Sequence, residues 1–206
     1  MTNPVEQLER SITNGDFYDQ FRFTLHEHIK GIQNLRVLDY GSGNISLFLT
    51  LKAGQATVAY DPQADMQTYH RAMPDKRKRV IWINEAPHGE LFDLVVCYFS
   101  MHHMGQPPDM TVRQLLEYQP RLLAIGEYDY TKATQADFDN TFVSESEQKE
   151  LEEMFDGDQA ACFAYHNRLG QEQYRRAFEE NGFNIVRQEN GHGVASNKFF
   201  IVGKRK

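Results

Sequence analysis

The segment Asp39-Tyr-Gly-Ser-Gly43 and the later acid Asp61 are the residues whose types and spacing best suit holding a small ligand. Glycines at 41 and 43 let the backbone turn tightly and leave bare main chain for a ligand to approach. Asp39, ahead of the glycines, can accept hydrogen bonds from a cationic or donor-rich group. A dinucleotide site needs Gly-x-Gly-x-x-Gly to cradle a pyrophosphate, and position 46 is Ser. An acid before the turn suits a nucleoside carrying an amine better than a diphosphate. Asp61 stands where an acid can take both hydroxyls of a ribose. A structural glycine turn with two surface acids is the plain alternative. A second constellation is Val96-Cys-Tyr-Phe-Ser-Met-His-His-Met104. His102 and His103 could serve there as base, as electrostatic partners or as ring platforms. One packed and one solvated histidine is the bland reading of the same pair. No third ligand stands at a metal-binding spacing, so no metal site is expected.

These residues need elements to bring them together. Phe17, Phe21, Leu25 and Ile29 recur every four positions, which predicts an amphipathic helix over 16–30. Strands are expected at Leu35–Leu38, Ala56–Tyr60, Val80–Ile83, Leu91–Phe99 and Leu122–Ile125. Helical segments at Ile45–Lys52, from Asp61-Pro62 to about Ala72, and at Met110–Tyr118 alternate with them. That rhythm implies right-handed crossovers and a parallel sheet covered on both faces, with ligands at the carboxyl ends of the strands. Helices at Ser144–Phe155 and Gln171–Asn181 follow, with Gly182 as a C-terminal cap. Phe183–Gln188 and Lys198–Val202 close the pattern as an antiparallel pair. The expected architecture is one three-layer α/β domain over 1–206. It has an N-terminal helical segment (1–34) and an irregular insert (131–170) that could cover a site.

The 206 residues suffice for a full core without disulfide or metal staples. Apolar residues make up 40% and charged residues 25%, the proportions of a folded soluble chain rather than a disordered one. The 29 acids outweigh 22 Lys and Arg to give net −7, which argues against a surface that grips long duplex nucleic acid. Two cysteines, Cys97 and Cys162, make no disulfide framework and fit a reducing compartment. No run is long and apolar enough for a membrane span, and the opening residues carry no signal-peptide pattern, so a cytoplasmic location is expected.

With these features together the chain resembles the class I S-adenosylmethionine-dependent methyltransferases, over nearly all its length. The family's acid-x-Gly-x-Gly-x-Gly turn is matched by Asp39, Gly41 and Gly43, with Ile45 in place of the last glycine. The resemblance implies a Rossmann-like fold, S-adenosyl-L-methionine as cofactor and S-adenosyl-L-homocysteine as product. It implies cofactor contacts from Ser42 in the turn, from Asp61 and Pro62 at the ribose, and from Asn84 or Glu85 at the adenine. Cys97, Tyr98 and Phe99 would add contacts after the fourth strand, and Arg22 would face the cofactor carboxylate.

The acceptor is read from what surrounds the histidines. Asp/Asn-Pro-Pro-Tyr/Phe, a Pro-Cys nucleophile and the Lys-Asp-Lys-Glu set are all absent, which removes three nucleic-acid methylation chemistries. Cys97-Tyr-Phe-Ser-Met-His-His103 is similar to the Cys-Gln-Phe-x-x-His-Tyr segment of messenger-RNA cap guanine-N7 methyltransferases. Asn44 stands where that family has Lys. Guanine N7 carries a free lone pair, so its methylation needs alignment and a complementary field but no general base. After the fifth strand, Glu127-Tyr-Asp-Tyr130 offers a carboxylate for the guanine edge and the rings of Tyr128 and Tyr130 for stacking, or is a plain polar strand-end loop. Lys76 and Arg77, or the closing Lys204-Arg-Lys206, would meet the cap triphosphate. A chain without long extensions would suit a viral form. A small-molecule N- or O-methyltransferase using His102 or His103 as base is the first alternative. A non-catalytic cofactor-binding subunit is the second.

Overall fold

Side chains alternate faces along each strand, and here both faces are apolar, so the sheet has to be covered on both sides. The computed structural model describes residues 16–30, 32, 34–42, 56–62, 80–141, 145–191 and 197–206. Its strands are β1 (Arg36–Tyr40), β2 (Ala56–Tyr60), β3 (Val80–Ile83), β4 (Leu94–Tyr98), β5 (Leu122–Tyr128), β6 (Phe183–Asn190) and β7 (Lys198–Arg205). They form one sheet in the order β3-β2-β1-β4-β5-β7-β6. β1 to β5 pair in parallel, and β7 runs antiparallel between β5 and β6. The helices described are α1 (Asp16–Ile29), α2 (Pro108–Leu115), α3 (Gln135–Thr141), α4 (Glu145–Phe155), α5 (Gln159–His166) and α6 (Gln171–Glu180).

One face of the sheet offers Val37, Leu94, Val96, Leu122, Ala124, Phe200 and Val202 to Phe21, Leu25 and Ile29 of α1. The other offers Leu38, Val95, Cys97, Leu123, Ile125, Phe199 and Ile201 to Val112 and Leu115 of α2 and to Tyr174, Ala177 and Phe178 of α6. Fully burying a large apolar side chain stabilises by about 1.5–3 kcal/mol, so these two layers hold the sheet. The three-layer, mostly parallel sheet with an antiparallel closing pair is therefore as expected from sequence. Among the described residues no helix is long and apolar enough to cross a membrane.

Some boundaries differ, for physical reasons. β5 runs on to Tyr128 because β7 pairs with it along the whole way, from Leu122↔Lys204 to Tyr128↔Lys198. α2 begins at Pro108 rather than Met110, since proline is tolerated in a first helical turn. The stretch 131–170, expected to be irregular, holds α3, α4 and α5 around a small core of Tyr130, Phe138, Leu151 and Cys162. α4 is the helix expected at Ser144–Phe155, whereas α3 and α5 each contribute only one or two residues to that core, too few to print a clear period. The expected helices at 45–52 and up to Ala72 lie outside the described residues.

Gly126 in β5 is where the sheet admits an aromatic ring. A Cβ there would lie 2.5 Å from the Tyr98 ring, which stacks on Phe21 of α1 at 4.9 Å between centroids. Replacing Gly126→Ala should cost about 1–3 kcal/mol by overpacking. Denaturant unfolding should show the loss, and Gly126→Ala combined with Tyr98→Leu should recover part of it.

Candidate functional site

In a parallel sheet whose strand order reverses, the crevice opens where neighbouring strands connect in opposite directions. Here that is between β1 and β4. Gly41 follows β1 with φ +69°, and an added Cβ would run into the side chain of Ser100, which follows β4. Only glycine leaves the two strand ends this close. The N–H groups of Gly41 and Ser42 both donate to the Tyr60 carbonyl, at 2.8 and 2.9 Å, which ties the turn to the end of β2. The Asp61 N–H donates to the Ile83 carbonyl at 3.2 Å, which ties β2 to β3 in turn. Ser100 Oγ donates to the Tyr40 carbonyl at 3.3 Å and lies 3.1 Å from Cys97 Sγ.

A cavity of about 510 Å³ opens on these strand ends. Gly41, Asp61, Pro62, Ser100 and His103 line it, as the sequence led one to expect of most of them. Tyr40 and Tyr60 line it as well, with ring centroids 4.8 Å apart, and Gln114 donates to the Tyr40 hydroxyl at 2.8 Å. Burial pushes up the phenols of Tyr40 and Tyr60, and that of nearby Tyr118 to about 12, so all three stay neutral. Opposite the strand ends, Lys149, Glu153 and Met154 of α4 complete the wall. Sequence reasoning missed the tyrosines, Gln114 and the α4 residues. Tyr40 and Tyr60 carried a signal, because each is the last residue of its strand. The α4 residues carried none.

The two histidines part company. His102 is 5% exposed and its Nδ1 lies 2.8 Å from Glu127 Oε1. Glu127, fully buried at the end of β5, also accepts the N–H groups of Met101 (3.1 Å) and His102 (3.3 Å) on Oε2 and of Tyr128 (2.9 Å) on Oε1. Burial raises its pKa, but the charge of His102, its hydrogen bond and the Tyr128 N–H outweigh that and hold the carboxyl below the ordinary glutamate value. The expected role of Glu127 at a guanine edge is thereby corrected: its oxygens are committed to the turn after β4 and are closed to solvent. His103 is exposed and faces the cavity, with its ring 4.0 Å from that of His102.

Other expected contacts lie elsewhere. Asp39 is 1% exposed, beneath the turn, and Ser42 is buried beside it; neither lines the cavity. Asn84 and Glu85 are exposed after β3 and are not among the described residues that line the cavity. Cys97 is fully buried, and burial pushes its thiol up, so it remains protonated and is no nucleophile. Tyr98 and Phe99 turn to the α1 face. Phe99 has φ +50°, a conformation side chains other than glycine rarely adopt, and its ring stacks on Tyr128 at 4.6 Å. Lys198 Nζ sits 5.0 and 5.5 Å from those two ring centroids, and Tyr130, stacked on Tyr128, is buried. Lys204-Arg-Lys206 cannot meet a ligand in the cavity. Lys204 pairs with Leu122 at the opposite end of β5, six residues or ~20 Å from the site end. Gly43, Asn44, Ile45, Lys76 and Arg77 lie outside the described residues, as does the side chain of Arg22.

No protein-family model matches the sequence, and no curated protein matches it. Solved structures do match in fold. Magnesium protoporphyrin IX methyltransferase from Synechocystis, crystallised with S-adenosylhomocysteine, superposes with a TM-score of 0.65 at 17% identity, covering 100% of this chain and 89% of that one. A SAM-dependent methyltransferase from Aquifex aeolicus gives 0.58 at 13% identity, covering 98% of each. For a protein from Bordetella parapertussis the values are 0.62 and 17%, and the chain spans 66% of its length while 91% of this chain is covered. The fold is thus that of the Rossmann-like methyltransferases. At these identities the likeness carries no more than the fold.

Glu127→Gln should destabilise the protein by about 1–3 kcal/mol at neutral pH, because His102 and the turn amides lose a charged acceptor. A carboxyl held below its unfolded value stabilises above that value. The gap between wild type and variant should be full above pH ~4.3 and should close as pH falls through the lowered native pKa. Urea unfolding from pH 3 to 8 reads it.

Proposed function

We propose that this chain is an S-adenosylmethionine-dependent methyltransferase whose acceptor enters the cavity beside His103. One observation carries the reading: a cavity opens at the β1/β4 crevice on the turn at Gly41, and Asp61, just past the end of β2, lines it too. That placement fits a nucleoside with an uncharged linker, because a carboxylate at the end of β2 can accept from ribose hydroxyls. The tyrosine rings of Tyr40 and Tyr60 offer flat apolar surface for the same ligand. When bound, S-adenosylmethionine supplies a methyl group on a sulfonium, an electrophile ready for in-line displacement. The chain's part is to align the acceptor and exclude water. His103, which lines the cavity, is an imidazole that can accept a proton from an N–H or O–H acceptor. Cys97 stays neutral and Glu127 is committed elsewhere, so neither competes for that role.

A small acceptor is favoured over a capped RNA end, since two groups the cap reading used, Glu127 and the run at 204–206, are placed away from the cavity. Guanine-N7 methylation of a cap is the second reading. It rests on the Cys97-Tyr-Phe-Ser-Met-His-His103 segment, whose last residue lines the cavity.

Calorimetry should show binding of S-adenosylhomocysteine, weakened about tenfold or more in Asp61→Asn and lost in Gly41→Val. Absence of binding to wild type at millimolar ligand would leave a scaffold with this fold and sink the enzyme reading. Given binding, labelled methyl transfer should be followed on capped RNA and on small amines, phenols and acids. Transfer to a small acceptor should rise with pH through the imidazole range near 6.5 and collapse in His103→Asn. Transfer to a cap, with no proton to remove, would instead be flat across that range.

A further inference from the structure

A second cavity, of about 580 Å³, lies on the α2/α6 flank of the molecule. It goes beyond the reading above and holds whether or not the first cavity takes a nucleoside. Its apolar lining comes from Pro107 and Pro108 at the start of α2, Leu169 after α5 and Ala177 of α6. Charges of both signs stand around it. Arg168, Asp109 and Glu180 all line it, and none of the three has a side-chain hydrogen bond or ion pair among the described residues. Arg176 lines it too but is held by Glu172 at 3.1 Å. Three charges with no side-chain partner among the described residues thus stand around one apolar floor.

The two cavities share a wall. The short helical turn Met101–Met104 and the residues up to Pro108 separate them: Met104 and Gln106 line the first, Gly105 and Pro107 the second. From the second cavity the Tyr165 hydroxyl donates to the His102 carbonyl at 3.1 Å. The strip that carries His103 is therefore touched from behind by anything that fills the second cavity.

We propose that this second cavity is a binding site for a small zwitterion with an apolar side chain, an apolar α-amino acid in chemical class. Arg168 takes the carboxylate as a planar fork, Asp109 and Glu180 take the ammonium, and Leu169, Ala177 and Pro108 take the side chain. A simple carboxylate would leave two acids unanswered, and a simple amine would leave the guanidinium so. The ligand's presence is read on the other side of the wall, at His103 and Gln106.

The test uses the whole chain, amide-labelled, titrated with L-leucine and L-phenylalanine and followed by NMR. Saturable shifts are expected at Asp109, Arg168 and Leu169, and smaller ones through the wall at His103 and Gln106. N-acetyl-L-phenylalanine, which lacks the ammonium, and phenethylamine, which lacks the carboxylate, should each bind about tenfold more weakly or worse. Arg168→Ala and Asp109→Asn change exposed or half-exposed side chains, so the fold should survive, and each should weaken binding by a similar factor. Failure of both amino acids to saturate would overturn the proposal. Equal affinity for the acetylated and decarboxylated analogues, or undiminished binding by the two variants, would overturn it too.

Discussion

One buried carboxylate organises the business end of this molecule. Glu127 closes β5 with no contact to water, and four donors converge on its two oxygens: the His102 ring and the N–H groups of Met101, His102 and Tyr128. An ion removed from water is tolerated only when its lone pairs are satisfied. The turn after β4 must therefore wrap toward β5, and this wrapping directs His103 outward to the cavity. The same turn forms the wall between two cavities and carries the carbonyl that Tyr165 grips. Loosening one acceptor would release the geometry of a whole strand end.

The sheet supplies what that carboxylate cannot, a fixed distance between strand ends. Alternation along β1, β4, β5 and β7 commits every second residue to α1 and the rest to α2 and α6, so no strand can slip by one without exposing its core side chains. Register in turn places Tyr40, Tyr60 and Cys97 at corresponding heights. The cavity is thus a product of register before it is a product of any particular side chain. Gly41 and Ser42 on the Tyr60 carbonyl, and Asp61 on that of Ile83, extend the ladder into the turns that bound it.

The architecture was legible because it is written in short-range patterns. β2 and β3 stand where apolar runs bounded by turn residues put them, and α1 stands on its four-residue spacing. Gly41 and Asp61 were singled out by residue type and position at strand ends and Pro62 by the resemblance, and all three line one cavity. What stayed hidden depends on contacts across the chain. Nothing local to Glu127 says that its carboxylate turns inward to His102, 25 positions away. Nothing in Lys204-Arg-Lys206 says which end of the sheet it reaches, because that follows from an antiparallel partner. The lining from α4 was invisible for the same reason. The bland expectation of one packed and one solvated histidine describes the pair well, and only the identity of the packed one's partner needed three dimensions.

The position of β7 bears on how the chain reaches this state. It is the last strand in sequence, yet it sits between β5 and β6 and completes both. During synthesis, β5 waits some seventy residues for its outer neighbour, with its hydrogen-bonding edge open. Long-range pairing of that kind slows folding and lengthens the life of aggregation-prone intermediates. Until residues 198–205 are inserted, the Glu127 end of β5 has only half of its sheet around it. The cavity at the strand ends should therefore form late, in one step with the docking of the final strand, rather than gradually as the parallel half assembles.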